Sequence, residues 1–190
     1  MLLFYNYLSE FGFKVKICYK NKGVVMIIKV HDKMQRDYSY MLTEKEGQNF
    51  APDFKPELTP KQMLELGVFE GHYLTDCQKE FPKNWFTKAK IDTEKPNIEL
   101  NCFKIKSRQS LQIWQSKGWI IGPDVRGWFQ WYCRYYLGRR LPEIDSVQIA
   151  RWRAFRRHRA QILKNCPPNK IECRPKQRQA LLQWAYNPFI

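Results

Sequence analysis

The chain has its most aromatic stretch at residues 126–138, RGWFQWYCRYYLG, two residues after Asp124. Asp124 is a residue type that caps helices, and Gly138 is one that ends them. The aromatic side chains would point in almost every direction around such a helix, so most of them must be buried. The stretch therefore predicts a core helix that is flanked by basic residues: Arg126, Arg139 and Arg140.

Helix start signals lie on both sides of this stretch. Residues 59–62, TPKQ, combine a capping threonine, a first-turn proline and a third-position amide. Pro142 and Pro175 occupy first-turn positions of two later helices. The patterns predict further helices over these ranges: 69–79, a short one from 82, 108–117 after the cap Ser107, 142–164, and 175–186.

The N-terminal segment has a different pattern. Residues 15–20 alternate apolar and polar side chains, residues 21–23 form a turn signal, and residues 24–30 are β-branched and apolar, which predicts a β-hairpin. Residues 32–56 are polar with scattered aromatics and are interpreted as an extended arm. The predicted fold is mainly α, a compact multi-helix domain (37–190) that is basic, aromatic and nucleic-acid-binding, with a small N-terminal β-hairpin extension (1–36).

The charge is concentrated in one half of the chain. The protein has 190 residues and a net charge of +15. Residues 1–100 carry 15 Lys and Arg against 14 Asp and Glu, whereas residues 101–190 carry 18 against 4. The basic residues of the second half are mostly arginines, which bind phosphates and base edges through a planar, bidentate group. With 7 Trp, 10 Tyr and 12 Phe the chain can form a core, which excludes a disordered tail.

These arginines define a candidate nucleic-acid-binding track. The predicted helix 142–164 has a basic outer face, and no acid interrupts residues 151–164. The start of the last helix adds a second basic group, which would form a phosphate-binding corner. The predicted phosphate contacts are Arg126, Arg139, Arg140, Arg153, Arg156, Arg157, Lys164, Arg174, Lys176 and Arg178. A solvated cationic face is the alternative interpretation. DNA is favoured over RNA, because no RNA-binding module signature is present.

Two other functions stay open. The first is a DNA repair or base-modification enzyme that holds an extruded base against an aromatic wall, with Asp124, Asp145 or His158 near the chemistry. Each has a structural alternative: Asp124 as a helix cap, and Asp124 or Asp145 as the acid of buried polar pairs with Arg151, His158 and Arg159. No nucleotide-binding loop, deaminase signature or nucleophile elbow occurs, so enzymatic activity is left undecided. The second is a structural or assembly protein whose basic face binds RNA or an acidic protein.

Cysteine usage and hydropathy suggest an intracellular protein without metal or cofactor. No secretory signal is recognisable, and the longest apolar run has five residues, which predicts no membrane contact. The location would be the nucleus in a eukaryote and otherwise the cytoplasm. The six cysteines contain no CxxC, and a disulfide framework is not expected. Cys166 and Cys173, with His72 and Cys77, are the alternative set of zinc ligands.

Three stretches carry a resemblance to a known family: LTPKQMLELGVF at 58–69, RGWFQWYCRYY at 126–136 and RPKQRQALL at 174–182. They resemble a family of uncharacterised Trp- and Arg-rich basic proteins found in bacterial, eukaryotic and viral genomes. The resemblance covers about residues 37–189. No fold, activity or catalytic residue comes with that family, so it implies only that the body is a unit separate from residues 1–36.

Overall fold

The computed structural model describes residues 4–8, 14–20 and 23–190, with side chains from residue 26 onward. Its N-terminal part is an antiparallel sheet whose strands are hydrogen-bonded in chain order. The strands are β1 (Phe4–Leu8), β2 (Lys14–Lys20), β3 (Gly23–Val30) and β4 (Tyr38–Leu42). The predicted hairpin is confirmed as the pairing of β2 with β3. Its turn residues 21 and 22 lie outside the described residues.

The strand β4 was not predicted, because it lies in the stretch interpreted as an extended arm. It pairs with β3 in a register that sets Ile28 opposite Tyr40. Both side chains are buried, as are Val30 and Leu42, and all four belong to the core that the helices also fill. β3 and β4 therefore attach the sheet to the helical body on either side of residue 36.

Helices dominate the remainder of the chain. The α-helices are α1 (Pro60–Leu66), α2 (Leu111–Ser116), α3 (Trp128–Tyr136), α4 (Pro142–Ala154), α5 (Arg156–Asn165) and α6 (Pro175–Leu182). Single-turn 3-10 helices cover Phe69–Gly71, Gln78–Glu80, Lys83–Trp85 and Ile98–Leu100. The starts at Pro60, Pro142 and Pro175 are confirmed. The cap of α1 is the predicted reciprocal pair, in which the side chains of Thr59 and Gln62 each accept the other's backbone N–H.

The helix predicted over residues 69–79 does not form. Glu70 and Leu74 have φ values of 60° and 59°, a left-handed conformation that an α-helix cannot contain. Distant partners hold this backbone. The Glu70 N–H donates to Asn101 Oδ1 at 2.7 Å, and the Glu70 carboxylate accepts from Arg108 Nη2 at 3.0 Å. Tertiary hydrogen bonds therefore override the local helix signal.

The single helix predicted over residues 142–164 is two helices, α4 and α5, which meet at Phe155. The Phe155 ring stacks on Trp184 of the C-terminal segment, with 4.0 Å between ring centroids. Trp152 is buried, whereas Val147 on the same helix is 43% exposed. The break at Phe155 separates α4 from the residues Arg156, Arg157 and Lys164, which lie on α5.

The core is built around α3. Trp131 and Tyr132 are fully buried, which confirms the core helix predicted from the aromatic stretch. Phe54, from the arm that follows β4, packs edge-on against both rings at centroid distances of 5.4 and 5.7 Å. Edge-to-face aromatic pairs add about 0.5 to 1.5 kcal/mol each beyond the burial of their area. This packing fixes α3, and with it the loops at both of its ends.

Candidate nucleic-acid interface

The interior of the protein holds a network of arginines and carboxylates. Arg134 on α3 is fully buried and donates to both oxygens of Glu80, at 2.6 and 3.0 Å. It also donates to Asp124 at 3.0 Å. Arg139 donates to both oxygens of Asp124, at 2.9 and 2.6 Å. Asp124 is therefore the shared partner of two buried guanidinium groups and does not cap α3, whose cap position is Gly127.

Arg126 pairs with two carboxylates from the first half of the chain. Its Nη2 lies 2.9 Å from Asp32 Oδ1 and 2.7 Å from Asp76 Oδ2. Burial acts to lower the pKa of Arg126, but the hydrogen bonds to Asp76 and Asp32 outweigh it and raise that pKa above its ordinary value. Burial likewise acts to raise the pKa of Asp32, and hydrogen bonds from Arg126 and two backbone N–H groups lower it instead. Arg126 therefore forms ion pairs with both Asp32 and Asp76.

Arg178 and Arg140 use their guanidinium groups on backbone carbonyls. Arg178 is fully buried. It donates to the carbonyls of Lys170, Cys173, Pro188 and Ile190. Arg140 is half-buried over the Tyr135 ring, 3.9 Å from its centroid. It donates to the carbonyls of Gln48, Asn49, Tyr135 and Arg139.

These contacts correct part of the predicted phosphate track. Arg126, Arg139 and Arg178 are at most 5% exposed, so they cannot reach a phosphate in this fold. Buried guanidinium groups need partners for their N–H donors, and carboxylates and carbonyls inside the protein supply them. The three residues hold the structure together and are removed from the candidate interface.

The exposed part of the predicted track lies at the end of α4 and along α5. Arg153, Arg156, Arg157 and Lys164 are all exposed. Arg153 Nη1 lies 2.8 Å from Asp53 Oδ2, with both side chains 48% exposed. Across the described side chains, from residue 26 onward, Arg156, Arg157 and Lys164 make no ion pair. They leave α5 with an uncompensated positive face.

The predicted phosphate-binding corner at α6 is reduced to two residues. Lys176 is exposed, and Arg174 is half-buried at the N-cap position with a left-handed φ of 54°. The Lys176 carbonyl accepts a hydrogen bond from Ser107 Oγ at 3.0 Å, which brings the segment before α2 against the start of α6.

The candidate catalytic residues are not brought together. Asp124 is in the ion-pair network, and Asp145 accepts hydrogen bonds from Trp131 Nε1 at 2.8 Å and from Leu141 N at 2.7 Å. Burial raises the pKa of Asp145, and these hydrogen bonds oppose the rise. His158 packs against Phe155, and burial followed by the charge of Arg157 lowers its pKa. The three groups share no site.

The cysteines correct two expectations. Cys166 and Cys173 form a disulfide, with 5.8 Å between their Cα atoms. This pairing was not expected from the sequence; the loop between α5 and α6 brings the two cysteines together. The pairing also removes two of the four alternative zinc ligands. The third, His72, has its Nδ1 at 2.9 Å from the Asp92 carbonyl.

A second set of side chains that can bind metals is already paired with cations inside the protein. Ligand atoms of Asp32, Cys77 and Glu80 lie within 4.8 Å of one another. The guanidinium groups of Arg126 and Arg134 already neutralise the two carboxylates. Burial raises the pKa of the Cys77 thiol well above its ordinary value, so the thiol stays neutral. The group belongs to the ion-pair network.

A cavity of about 610 Å³ lies beside α5 and is lined by aromatic and basic side chains. Its volume falls within the range of about 300 to 1,000 Å³ that is usual for small-molecule sites. The rings that line it are Phe69, Trp114, Trp119, Trp128, Phe129, Phe155 and Trp184. The cations that line it are Lys106, Arg108, Arg151, Arg157 and Lys176. No carboxylate and no histidine of the described chain is among the lining residues.

The rings of the cavity fall into two groups. Trp184 lies between Trp128 and Phe155 in contact distance, with ring centroids 4.6 and 4.0 Å away. Trp114 and Trp119 stack on no other ring of the described chain, and Trp119 is 41% exposed to solvent. Trp128, Phe155 and Trp184 thus form a packed part of the cavity wall, whereas Trp114 and Trp119 leave ring surface unpaired with other rings.

The positive charge of the cavity is only partly compensated. Arg108 pairs with Glu70 at 3.0 Å. Arg151 is half-buried, and its Nη1 donates to the Trp119 carbonyl at 2.8 Å and to Gln148 Oε1 at 3.1 Å, which are neutral groups. Burial lowers the pKa of Arg151, and its hydrogen-bond partners in the described chain include no carboxylate. A half-buried cation with neutral partners favours an anion beside it.

Sequence reasoning missed most of this cavity. Arg151 was expected to pair with Asp124 or Asp145 and pairs with neither. The signal that was available is the interleaving of cations and tryptophans over residues 106–119. That pattern alone could not show that the segment folds against α5 and α6.

In the part of the chain that the structure describes, no helix combines the length and the apolar character needed to cross a membrane. No protein-family model, no curated protein and no solved structure matches the chain.

Proposed function

We propose that the protein binds nucleic acid, with DNA favoured over RNA, through α5 and the rim of the neighbouring cavity. The observation that carries the proposal is a group of exposed cations with no carboxylate among them: Lys106, Arg156, Arg157, Lys164 and Lys176. Lys106, Arg157 and Lys176 line one cavity, and Arg156, Arg157 and Lys164 lie on one helix. Like charges on one surface repel one another, and a polyanion would relieve that repulsion. Phosphates of a nucleic-acid backbone would supply that neutralisation.

The distribution of acids supports a polyanionic partner. Residues 101–190 contain four acids. Asp124 and Asp145 are buried, so only Glu143 and Glu172 are exposed to balance the surface of this half. Four of the 18 basic residues of this half are buried as well (Arg126, Arg134, Arg139 and Arg178), so its surface keeps 14 Lys and Arg against two acids.

The spacing on α5 fits a strand of phosphates. Arg157 and Lys164 are seven residues apart, which places them on one helix face about 10.5 Å apart along the axis. A strand of DNA carries one charge per roughly 3.4 Å of helix axis, so the two cations span about three steps. Residues 37–190, which contain the strand β4 and all the helices, are the proposed binding unit. The function would place the protein inside the cell, in the nucleus of a eukaryote.

The test is binding to labelled single-stranded DNA, duplex DNA and RNA across a salt series. The variant changes Arg156, Arg157 and Lys164 to Gln, and the control changes Lys45, Lys88 and Lys95, which are exposed lysines outside α5 and the cavity lining. Loss of three phosphate contacts lowers the slope of log K against log salt by roughly 2 for a single strand and 2.7 for a duplex. The control removes equal charge and should change the slope much less.

The outcomes separate the alternatives. Equal slopes in the two variants would show non-specific attraction to the net charge and contradict an interface on α5. Binding that does not respond to salt would favour an assembly role with a protein partner. The base-modification alternative has less support, because Asp124, Asp145 and His158 do not line the aromatic cavity.

A further inference from the structure

The cavity beside α5 combines aromatic rings with cations and has no carboxylate of the described chain in its lining. Trp114 and Trp119 stack on no other aromatic ring of the described chain. The Lys117 ammonium lies 4.9 Å from the Trp119 ring centroid, so the opposite face of that ring is the one left for a ligand. Aromatic side chains stack on the faces of unpaired bases, and such stacking does not depend on the base sequence. The interior of a duplex cannot provide such a face, because its bases are already stacked and paired.

Arg151 gives the cavity a fixed cation. Its two hydrogen bonds use Nη1 alone, so Nε and Nη2 donate to no partner in the described chain. Those donors are also not sealed from solvent, since they are not among the buried groups that lack a partner. One of the two bonds goes to the carbonyl of Trp119, which holds the cation and the ring together.

The remaining lining residues select the charge and class of ligand. Arg157, Lys106 and Lys176 add exposed cations, and no carboxylate of the described chain lines the cavity to attract a cationic ligand. Gln109 and Ser107 provide neutral polar groups that could contact the edge of a base. A nucleotide combines the required parts, since it has a flat ring and a phosphate within one unit.

We propose that this cavity binds one unpaired nucleotide of a DNA strand, with the base against Trp114 and Trp119 and its phosphate at Arg151 and Arg157. The inference rests on the proposed nucleic-acid function and adds a preference for single-stranded or locally opened DNA. Phosphates on either side of the bound nucleotide would follow the exposed cations of α5.

The first experiment compares five probes: a short oligothymidylate, the same strand with one abasic residue at its centre, a strand abasic throughout its centre, the matching duplex, and thymidine monophosphate. Affinity and quenching of tryptophan fluorescence are measured for each. The intact strand should bind most tightly and quench most strongly. Both abasic strands should keep the salt slope. The strand with one abasic residue should lose quenching only if a single register is held, because otherwise a neighbouring base can enter the cavity. The strand that is abasic throughout its centre should lose quenching in either case.

The second experiment tests the ring. Trp119→Ala should weaken binding of the strand by roughly 5- to 150-fold, the loss expected from one base stack. Trp119→Phe keeps an aromatic face and should restore most of the affinity. The matched control is Phe189→Ala, which removes an aromatic that is 46% exposed and does not line the cavity. Thermal unfolding of each variant checks that Trp119, itself 41% exposed, is not required for folding.

The results distinguish failure of this inference from failure of the proposed function. Strand binding with a steep salt slope that is unchanged by abasic residues and by Trp119→Ala would overturn the cavity site and leave nucleic-acid binding intact. Equal affinity for duplex and single strand would overturn the preference for unpaired bases. If thymidine monophosphate binds as tightly as the strand and depends on Trp119, the cavity is a free-nucleotide site and the proposed polymer function falls.

Discussion

Replacing Asp124 by asparagine should reduce the free energy of unfolding by about 3 to 5 kcal/mol. The Asp124 carboxylate is fully buried and accepts three hydrogen bonds, one from Arg134 and two from Arg139. Arg134 would keep both bonds to Glu80, at 2.6 and 3.0 Å. Arg139 would lose the carboxylate with which it pairs, and its guanidinium is only 1% exposed.

The magnitude follows from the buried charge that the substitution leaves behind. Removing one partner of a buried ion pair strands the other without water or counter-charge, and this penalty exceeds the value of the pair itself. Asparagine keeps one oxygen acceptor, so part of the hydrogen bonding remains and the charge is what is lost. Asp53→Asn is the matched control, because it removes the same charge from a pair with Arg153 that is 48% exposed on both sides. That change should cost no more than about 1 kcal/mol.

The assay is urea unfolding followed by tryptophan fluorescence, since urea does not screen ion pairs. With a slope near 2 kcal/mol per molar, the Asp124→Asn midpoint should fall by roughly 1.5 to 2.5 M. A second change, Arg139→Met, added to Asp124→Asn should recover part of the loss, because it removes the stranded cation. Equal small effects of Asp124→Asn and Asp53→Asn would refute the reasoning that Asp124 is the buried counter-charge of Arg139.

Three further outcomes are expected. Replacing Cys166 and Cys173 by serine should lower the unfolding free energy by about 2.5 kcal/mol, the loop-closure value for their separation of 7 residues; a reductant should lower the wild-type melting temperature equally and leave the double variant unchanged. Burial, and then the charge of Arg157, lower the folded-state pKa of His158 below 6.5, so the native state binds fewer protons than the unfolded state and stability should fall as the pH drops from about 7 through that pKa. His158→Gln should flatten this part of the stability curve, and an unaltered curve would contradict the assignment. Gly138→Ala should destabilise by more than about 2 kcal/mol in thermal unfolding, because φ is 111° and a Cβ would lie 2.0 Å from the Glu44 carbonyl oxygen; Gly118→Ala, with φ 64° and no atom within 4 Å, should cost only about 1 kcal/mol.

Local signals predicted the elements that depend on neighbouring residues. The cap at Thr59, the proline at position 142 and the strand pair of β2 and β3 were all recognisable. The helix expected over residues 69–79 was not found, because the Glu70 backbone and carboxylate bind Asn101 and Arg108, which are far along the chain.

The candidate site was predictable only in outline. The basic face of α5 was recognised from its charge pattern, and Arg156, Arg157 and Lys164 are exposed there. The cavity was not recognised, because its lining comes from segments separated by up to about a hundred residues. A pattern in one segment gives no information about which other segment will pack against it.

By itself the sequence determined the total charge, its concentration in the second half, and the burial of the aromatic stretch on α3. Only the tertiary structure decided which arginines are available to a ligand. Arg134 binds Glu80, which is 54 residues away in the sequence, and Arg126 binds Asp32, which is 94 residues away. Every arginine carries the same charge in the sequence, so its role depends on whether folding brings carboxylates or backbone carbonyls to it, as for Arg134 and Arg178, or leaves it facing water.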